Sequence, residues 1–143
     1  MRILLLWNDT NIQVTPILIT TQLIHCLVKH VRSAKLIHCS FIYGNNDGQG
    51  RKQLWADWIS VSPNVVSWLV MGDFNTVRSE EERISRSPPS SEDINDFNTC
   101  LSSCNLDDLQ RSGCEFSWTN NQAPPNRTWC RLDRALINDS WLA

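Results

Sequence analysis

Residues 67–76 read SWLVMGDFNT and carry the clearest structural signal in this chain. Its apolar run from Trp68 to Met71 stops at a glycine, a pattern typical of a buried β-strand. Asp73 and Asn75 then follow where the strand opens into a loop, at the rim of a sheet. Side chains two positions apart on an extended segment point to the same side. A carboxylate and a carboxamide placed there suit a hydrated metal ion, a water nucleophile or a phosphate oxygen. Asp and Asn are also ordinary turn residues, so a strand-end turn is the alternative.

The rest of the chain predicts short strands mixed with two helices. Apolar and alternating patterns predict strands over residues 2–7, 12–15, 20–28, 36–43, 65–71, 116–119 and 129–137. The last two are expected to form a hairpin. Apolar residues at helical spacing predict helices over 51–60 and 92–104, the second capped by Ser91. Polar loops are expected at 44–50 and 76–91. This mixture indicates an α/β (α+β) layered fold in a single domain over residues 1–143.

Size and charge limit the functions that the chain can perform. It has 143 residues, enough for one small domain, and a formal net charge of −2. That balance argues against a protein that grips nucleic acid by bulk electrostatics, because neutralising phosphates needs clustered Lys and Arg. It does not exclude a nuclease, whose site must be acidic to hold a cation. Arg127, Arg131 and Arg134 form the nearest basic cluster, around Asp133. We interpret the cluster as a solvated face, with Arg131 supporting the hairpin.

The cysteines and apolar runs bear on the cellular compartment. Six cysteines occur, but no apolar run is long enough for a signal-peptide core or a membrane span. We therefore expect an intracellular protein, nuclear or cytoplasmic, with reduced and mostly buried thiols. A zinc site is disfavoured because no Cys-x-x-Cys pair is present. The pairs His25-Cys26 and His38-Cys39 are interpreted as ordinary strand residues.

Four motifs in one order make the chain recognisable. They are FIYGN at 41–45, the helical segment 51–58, GDFN at 72–75, and FSWTN at 116–120 leading to RLDR at 131–134. This ordered set resembles the endonuclease/exonuclease/phosphatase superfamily. Within it, the chain is most similar to the apurinic-type endonuclease domain of plant LINE-type (non-LTR) retrotransposons. The resemblance covers nearly the whole chain.

The resemblance implies a fold, an activity and a set of site residues. The fold would be part of a four-layered α/β/β/α sandwich, with two sheets packed face to face. The activity would be hydrolysis of a phosphodiester in DNA, usually with Mg²⁺. Asp73 would activate or position the attacking water, and Asn75 would orient Asp73, the phosphate or both. Tyr43 would approach the scissile phosphate with its hydroxyl, and Asp133 would orient a histidine. In the parent element a reverse transcriptase domain would accompany the endonuclease.

Two parts of the family's site are not found in the sequence. They are a metal-binding glutamate ahead of Tyr43 and a C-terminal Ser-Asp-His; His25, His30 and His38 lie in other contexts. We therefore expect the middle of such a domain, truncated at both ends, and inactive or weakly active alone. Open sheet edges would favour self-association. Two other interpretations stay open: a non-catalytic remnant that binds DNA or a protein, and a phosphomonoesterase of the same fold.

Overall fold

The computed structural model describes residues 3–143, which form nine strands, three α-helices and one short 3₁₀ helix. The strands are β1 (Ile12–Ile19), β2 (Leu23–His30), β3 (Leu36–Tyr43), β4 (Trp68–Asp73), β5 (Arg83–Ile84), β6 (Leu106–Asp108), β7 (Trp118–Thr119), β8 (Trp129–Cys130) and β9 (Asp133–Asn138). The α-helices are α1 (Gly48–Ser60), α2 (Ser91–Ser103) and α3 (Asp139–Leu142), and the 3₁₀ helix is Glu80–Glu82.

Two sheets organise these strands. The larger has the order β1-β2-β3-β4-β9-β6, and the smaller has the order β5-β8-β7. Only β3 and β4 run parallel, joined by a crossover that contains α1. Such a crossover is what a parallel pair requires. It brings the end of β3 beside the end of β4, where the GDFN motif begins.

The strongest sequence patterns match the structure closely. The predicted strand over 36–43 coincides with β3. Helix α1 begins three residues earlier than predicted, because the Asp47 side chain accepts a hydrogen bond from Gly50 N at 2.7 Å and caps the helix there. The cap of α2 is Ser90 instead of Ser91, with its hydroxyl accepting from Asp93 N. These differences lie at element ends, where side-chain caps decide the boundary.

The N-terminal strand predictions need correction. Residues 3–7 form no strand, and Arg2 lies outside the described residues. Residues 4–7 instead line a cavity of about 410 Å³ against the sheet, with Val28, Cys39 and Phe41 among its other walls. Strand β1 continues to Ile19 past Pro16, because the register shifts by a bulge between Pro16 and Leu18. A bulge on an edge strand tolerates the missing N–H of proline.

The predicted return strand over 129–137 is two strands in different sheets. Its first part, β8, pairs with β7, which confirms the hairpin. Its second part, β9, lies between β4 and β6 in the large sheet. The chain therefore passes from one sheet to the other at residues 131–132. That transition connects the RLDR motif to both sheets.

An aromatic core anchors the GDFN motif. Helices α1 and α2 pack on one face of the large sheet, and Phe74 inserts between them with no exposed surface. Its ring lies 5.6 Å from Trp58 and 5.2 Å from Phe97, measured between ring centroids. Because Phe74 separates Asp73 from Asn75 in sequence, its burial fixes the turn that carries both polar residues. Burying a phenylalanine is worth about 1.5–3 kcal/mol, enough to hold a short turn.

A polar network lies in the same core. The Trp68 indole N–H donates to Ser40 Oγ at 2.9 Å, and Ser40 Oγ lies 2.7 Å from His25 Nδ1. His25 Nε2 lies 3.0 Å from His38 Nδ1. His25 is 1% exposed, and this burial lowers its pKa. The charge of the nearby His38 lowers it further, to about 4. The two histidines thus contact each other, which the interpretation as ordinary strand residues missed.

A second network joins the two sheets through arginines. The Arg134 side chain is fully buried and pairs with Glu82 and with Asp108 at 3.2 Å. Arg131 contacts Asp108 at 3.0 Å and also reaches Glu82. The predicted solvated face is therefore wrong for these two arginines, although Arg127 is exposed. The reason is tertiary: the acids that pair with the RLDR arginines are 23 to 52 residues away in sequence.

Candidate active site

Strand register brings three of the predicted site residues side by side. Tyr43 at the end of β3 is paired with Asp73 at the end of β4. Asp73 is in turn paired with Asp133, the first residue of β9. Residues that are directly opposite on neighbouring strands point to the same face of a sheet. Tyr43, Asp73 and Asp133 therefore share one corner of the large sheet, on the face opposite the helices.

Asp73 and Asp133 form a close pair of carboxylates. Phe74 N donates to Leu132 O at 2.9 Å, so those two residues make the hydrogen-bonded pair of the ladder. The adjacent pair, Asp73 and Asp133, is then the closely spaced kind, with Cα atoms about 4.5 Å apart. Burial raises the pKa of Asp73, and the charge of Asp133 raises it further, while the hydrogen bond from Asn75 N lowers it. The arginines of RLDR pair with Glu82 and Asp108 instead of these carboxylates.

Asn75 belongs to the same site through its backbone and side chain. Its N–H donates to Asp73 Oδ1 at 2.9 Å, which closes an Asx turn. Its side-chain Nδ2 donates to Gly44 O at 2.7 Å. Its backbone is left-handed, with φ of 50°, a conformation that asparagine tolerates better than most residues. The turn interpretation is thus confirmed, and the site interpretation stays a prediction that is compatible with this geometry.

Gly72 allows the motif to approach β3. Its φ is +143°, and a Cβ at this position would lie 2.0 Å from Ile42 O. No L side chain fits that space without moving the backbone. The glycine that stops the apolar run in the sequence is therefore required by the close contact of β4 with β3.

Ser117 is a neighbour of Asp133 that the sequence did not reveal. Its hydroxyl oxygen accepts hydrogen bonds from Leu132 N and Asp133 N, both at 3.0 Å. It therefore fixes the start of β9 against the hairpin of the small sheet. Its position just before Trp118 in FSWTN was the available signal, but serine is too common in loops to be singled out.

The histidine expected beside Asp133 is not among the described residues at this corner. His25 and His38 lie in the core network on the opposite face of the sheet. His30 is the last residue of β2, and its Nδ1 accepts from Ser33 N of the following turn at 3.1 Å. Asp133 is predicted to orient a histidine, but within residues 3–143 no histidine lies beside it.

The oxygen ligands at this corner suit a hard cation, but they are few. Asp73 and Asp133 offer carboxylates and Asn75 offers an amide oxygen, the ligands that Mg²⁺ prefers. Mg²⁺ often binds through one or two carboxylates and keeps several waters, so this small set is compatible with it. Within residues 3–143 there is no group of three or more His, Cys, Asp or Glu side chains that would hold a metal. In that part of the chain all six cysteines are free and only Cys114 is exposed, in keeping with the expected buried thiols.

A polar cavity of about 110 Å³ adjoins Asn75. At roughly 30 Å³ per water it has room for three or four waters, or for one phosphate group. Its walls include Arg51 and Arg83 as well as Asp93. Arg51 is ion-paired with Asp93 at 2.8 Å, so Arg83 supplies the positive balance of this cavity.

Comparison with known proteins identifies the fold. No protein-family model and no curated protein matches the chain. Among solved structures it is similar to the endonuclease domain of TRAS1, a telomere-specific non-LTR retrotransposon, with a TM-score of 0.72 and 13% identity over 92% of this chain and 57% of that chain. It is also similar to D. rerio TDP2 complexed with single-strand DNA product, with a TM-score of 0.56 and 16% identity over 94% of this chain and 56% of that chain. The fold is that of the endonuclease/exonuclease/phosphatase proteins.

The endonuclease/exonuclease/phosphatase fold confirms the predicted mixed α/β class. The chain spans a little over half the length of the two solved structures. At identities of 13% and 16% the likeness concerns the fold alone, so the chemistry must be argued from the site. In the described residues no helix is long and apolar enough to cross a membrane.

Proposed function

We propose that the chain is part of a metal-dependent endonuclease domain that hydrolyses phosphodiester bonds in DNA, from a plant LINE-type retroelement whose parent protein carries a reverse transcriptase. The observation that supports this most is the register that brings Tyr43, Asp73 and Asp133 to one corner of the sheet. Residues from three separate motifs meet there, beside Asn75. A purely structural sheet has no need for two carboxylates in a closely spaced pair, because like charges directly opposite are destabilising.

Each residue has a distinct proposed role. Asp73 positions the attacking water and accepts its proton, as a carboxylate within hydrogen-bond reach of that water can. Tyr43 contacts the scissile phosphate, and Asn75 holds the Asp73 carboxylate in place through its N–H. Asp73, Asp133 and Asn75 would hold Mg²⁺, which when bound would neutralise charge on the phosphate oxygens. The cavity beside Asn75 has the volume for a neighbouring phosphate, and Arg83 supplies its positive charge.

We further propose that activity of this chain alone is low. General acid–base help is worth about 10²–10⁴-fold in rate, and no histidine faces Asp133 among residues 3–143. Residues 1–143 would then make up one partial domain. The same observation favours a second candidate function, a non-catalytic module that binds DNA. An intracellular location, nuclear or cytoplasmic, is part of the proposal and agrees with the free cysteines of residues 3–143.

Self-association through sheet edges is a further part of the proposal. The edge strands of the large sheet are β1 and β6. Pro16 and its bulge interrupt β1, and β6 has three residues, so both edges are weak templates for pairing. We expect association that is detectable only at high protein concentration.

The deciding experiment is nicking of supercoiled plasmid by the purified chain with Mg²⁺. EDTA and Asp73→Ala serve as controls, and circular dichroism verifies that each protein is folded. Slow nicking that both controls abolish supports the endonuclease. A folded chain that retards DNA on a gel without nicking it favours the binding module. Hydrolysis of p-nitrophenyl phosphate in place of plasmid nicking would point to a phosphomonoesterase.

A further inference from the structure

The loop between β3 and α1, residues 44–47, lies directly against the turn that carries Asp73 and Asn75. Gly44 N donates to Asp73 O at 2.8 Å, and Gly44 O accepts from Asn75 Nδ2 at 2.7 Å. A Cβ on Gly44 would lie 2.7 Å from Phe74 O, so no side chain separates the two backbones. The position of this loop therefore sets the position of the Asn75 carboxamide.

Gln22 holds the loop from the side of β2. Its Oε1 accepts from Asn45 N at 2.7 Å, and its Nε2 donates to Gly50 O at 3.0 Å. Its own backbone oxygen accepts from Tyr43 N at 2.9 Å. The side chain is nearly fully buried, and both ends of its amide are used. A backbone N–H can only donate and a carbonyl can only accept, so the amide orientation is unambiguous.

Arg51 holds the same loop from the side of the helices. Its Nη1 donates to Asn45 O at 2.7 Å and to Asn46 O at 3.0 Å. Its Nη2 pairs with Asp93 at 2.8 Å, which links the loop to the first turn of α2. The residue is 2% exposed. Without the guanidinium these two carbonyls would lose the donor that they share, and Asp93 would lose its partner.

We propose that Gln22 and Arg51 are positioning residues for the candidate active site, an inference that rests on the proposed function for its chemical meaning. Together they fix the 44–46 backbone, and so keep Gly44 O in place as an acceptor. Because a carbonyl oxygen can only accept, the side chain must turn Nδ2, and not Oδ1, toward Gly44. This fixes the orientation of the Asn75 carboxamide and leaves Oδ1 as an acceptor for a hydrated cation or an attacking water. The second N–H of Nδ2 is the only donor that the side chain keeps for other partners.

The test is hydrogen exchange of the Asn75 side-chain carboxamide, followed by NMR on the ¹⁵N-labelled full chain. In the wild type, the Asn75 Nδ2 proton that is bonded to Gly44 O is expected to exchange at least about 10-fold more slowly than the side-chain amide protons of exposed Asn121. Gln22→Met and Arg51→Lys should each remove most of that protection. Gln53→Met and Arg32→Lys, changes of the same type at exposed positions, should leave it intact.

A second position separates positioning from general loss of stability. The backbone amide of Val70, in the centre of β4, reports unfolding of the sheet. A purely structural role would accelerate exchange at Val70 and Asn75 by the same factor, whereas positioning accelerates Asn75 alone. Gln22→Glu keeps the acceptor for Asn45 N, so it should retain part of the protection and serves if Gln22→Met does not fold.

The outcomes are distinct from those of the endonuclease proposal. Exchange of Asn75 as fast as Asn121 in the wild type, or protection unchanged in both variants, overturns the inference. Added Mg²⁺ is expected to shift the Asn75 side-chain carbonyl carbon while protection persists, and loss of protection overturns the acceptor role. Absence of any Mg²⁺ shift at Asp73, Asn75 and Asp133 counts against the endonuclease, whereas the exchange rates alone decide the orientation.

Discussion

Asp73 and Asp133 face each other across β4 and β9 as a closely spaced antiparallel pair of carboxylates. Partial burial raises the pKa of Asp73, and repulsion from Asp133 raises it further. We expect Asp133→Asn to lower that pKa, because it removes the second negative charge. A pH titration of the Asp73 carboxyl carbon by NMR measures it directly. Asp9→Asn, at an exposed position, is the matched control and should leave the titration unchanged.

The same pair has a pH signature in stability. The folded-state pKa of Asp73 lies above its ordinary value of 3.8, so the folded state binds the proton more tightly than the unfolded state. Its contribution to stability is therefore present below about pH 3.8 and is lost as the pH rises through the raised pKa. Added Mg²⁺ should reverse that loss and lower the Asp73 pKa. A Mg²⁺-independent titration of Asp73 would argue against cation binding here.

Gly72→Ala tests the contact between β4 and β3. The new Cβ would lie 2.0 Å from Ile42 O at a φ of +143°, so we expect a loss of at least about 3 kcal/mol in the free energy of unfolding. Gly113→Ala is a matched control, since its φ is +100° but no atom lies within 4 Å. That change should cost only about 1–2 kcal/mol of backbone strain. Urea unfolding compares the two, and equal costs would show that the contact is not tight.

His25 predicts a loss of stability in acid. Burial and His38 lower its pKa from 6.5 to about 4, so the unfolded chain binds a proton that the folded chain excludes. Stability should be constant above about pH 6.5 and should fall by roughly 3 kcal/mol as the pH drops toward 4. His25→Leu should remove most of this slope in urea unfolding curves recorded across that range. His30→Leu, at an exposed turn, should keep it.

Removing the buried charge of Arg134 is expected to have a large effect on the free energy of unfolding. Arg134→Met leaves Glu82 and Asp108 with less positive charge in a mostly buried site, so we expect a loss of about 3 kcal/mol in unfolding free energy. Arg127→Met, at an exposed position of the same basic cluster, should change it by less than about 0.5 kcal/mol. Thermal unfolding in low salt measures both. Similar small effects would mean that Arg134 is solvated after all.

The parts of the fold that the sequence predicted are those where local pattern and tertiary structure agree. β3 and the strand before GDFN are apolar runs bounded by turn residues, and α2 has a regular apolar stripe. Their burial follows from these local patterns of apolar residues. The motif residues Tyr43 and Asp73 came together because strand ends after a parallel crossover meet at one edge.

The parts that it missed depend on partners far away in the chain. Nothing in residues 129–137 marks the point where the backbone leaves one sheet for another. Arg134 looks like a surface residue until β6 and the 3₁₀ helix supply its acids. Gln22 is an unremarkable polar residue in sequence, and its two amide contacts exist only once β2 and α1 are packed. Pairwise contacts of this kind are set by register, which residue spacing within one segment does not encode.

The buried chain of Trp68, Ser40 and His25 also bears on how the sheet chooses its alignment. A slip of β2 by one residue against β3 would move His25 to the other face and bring an apolar side chain opposite Ser40. The Ser40 hydroxyl would then lose its contact with His25 Nδ1 and keep only the bond from the Trp68 indole N–H. An unmade hydrogen bond in a dry interior costs free energy. Apolar neighbours such as Ile24 and Cys26 would accept either alignment almost equally. The polar chain thus penalises the wrong pairings of β2 with β3, and its Trp68–Ser40 bond does the same for β3 with β4, the alignment that places Tyr43 beside Asp73.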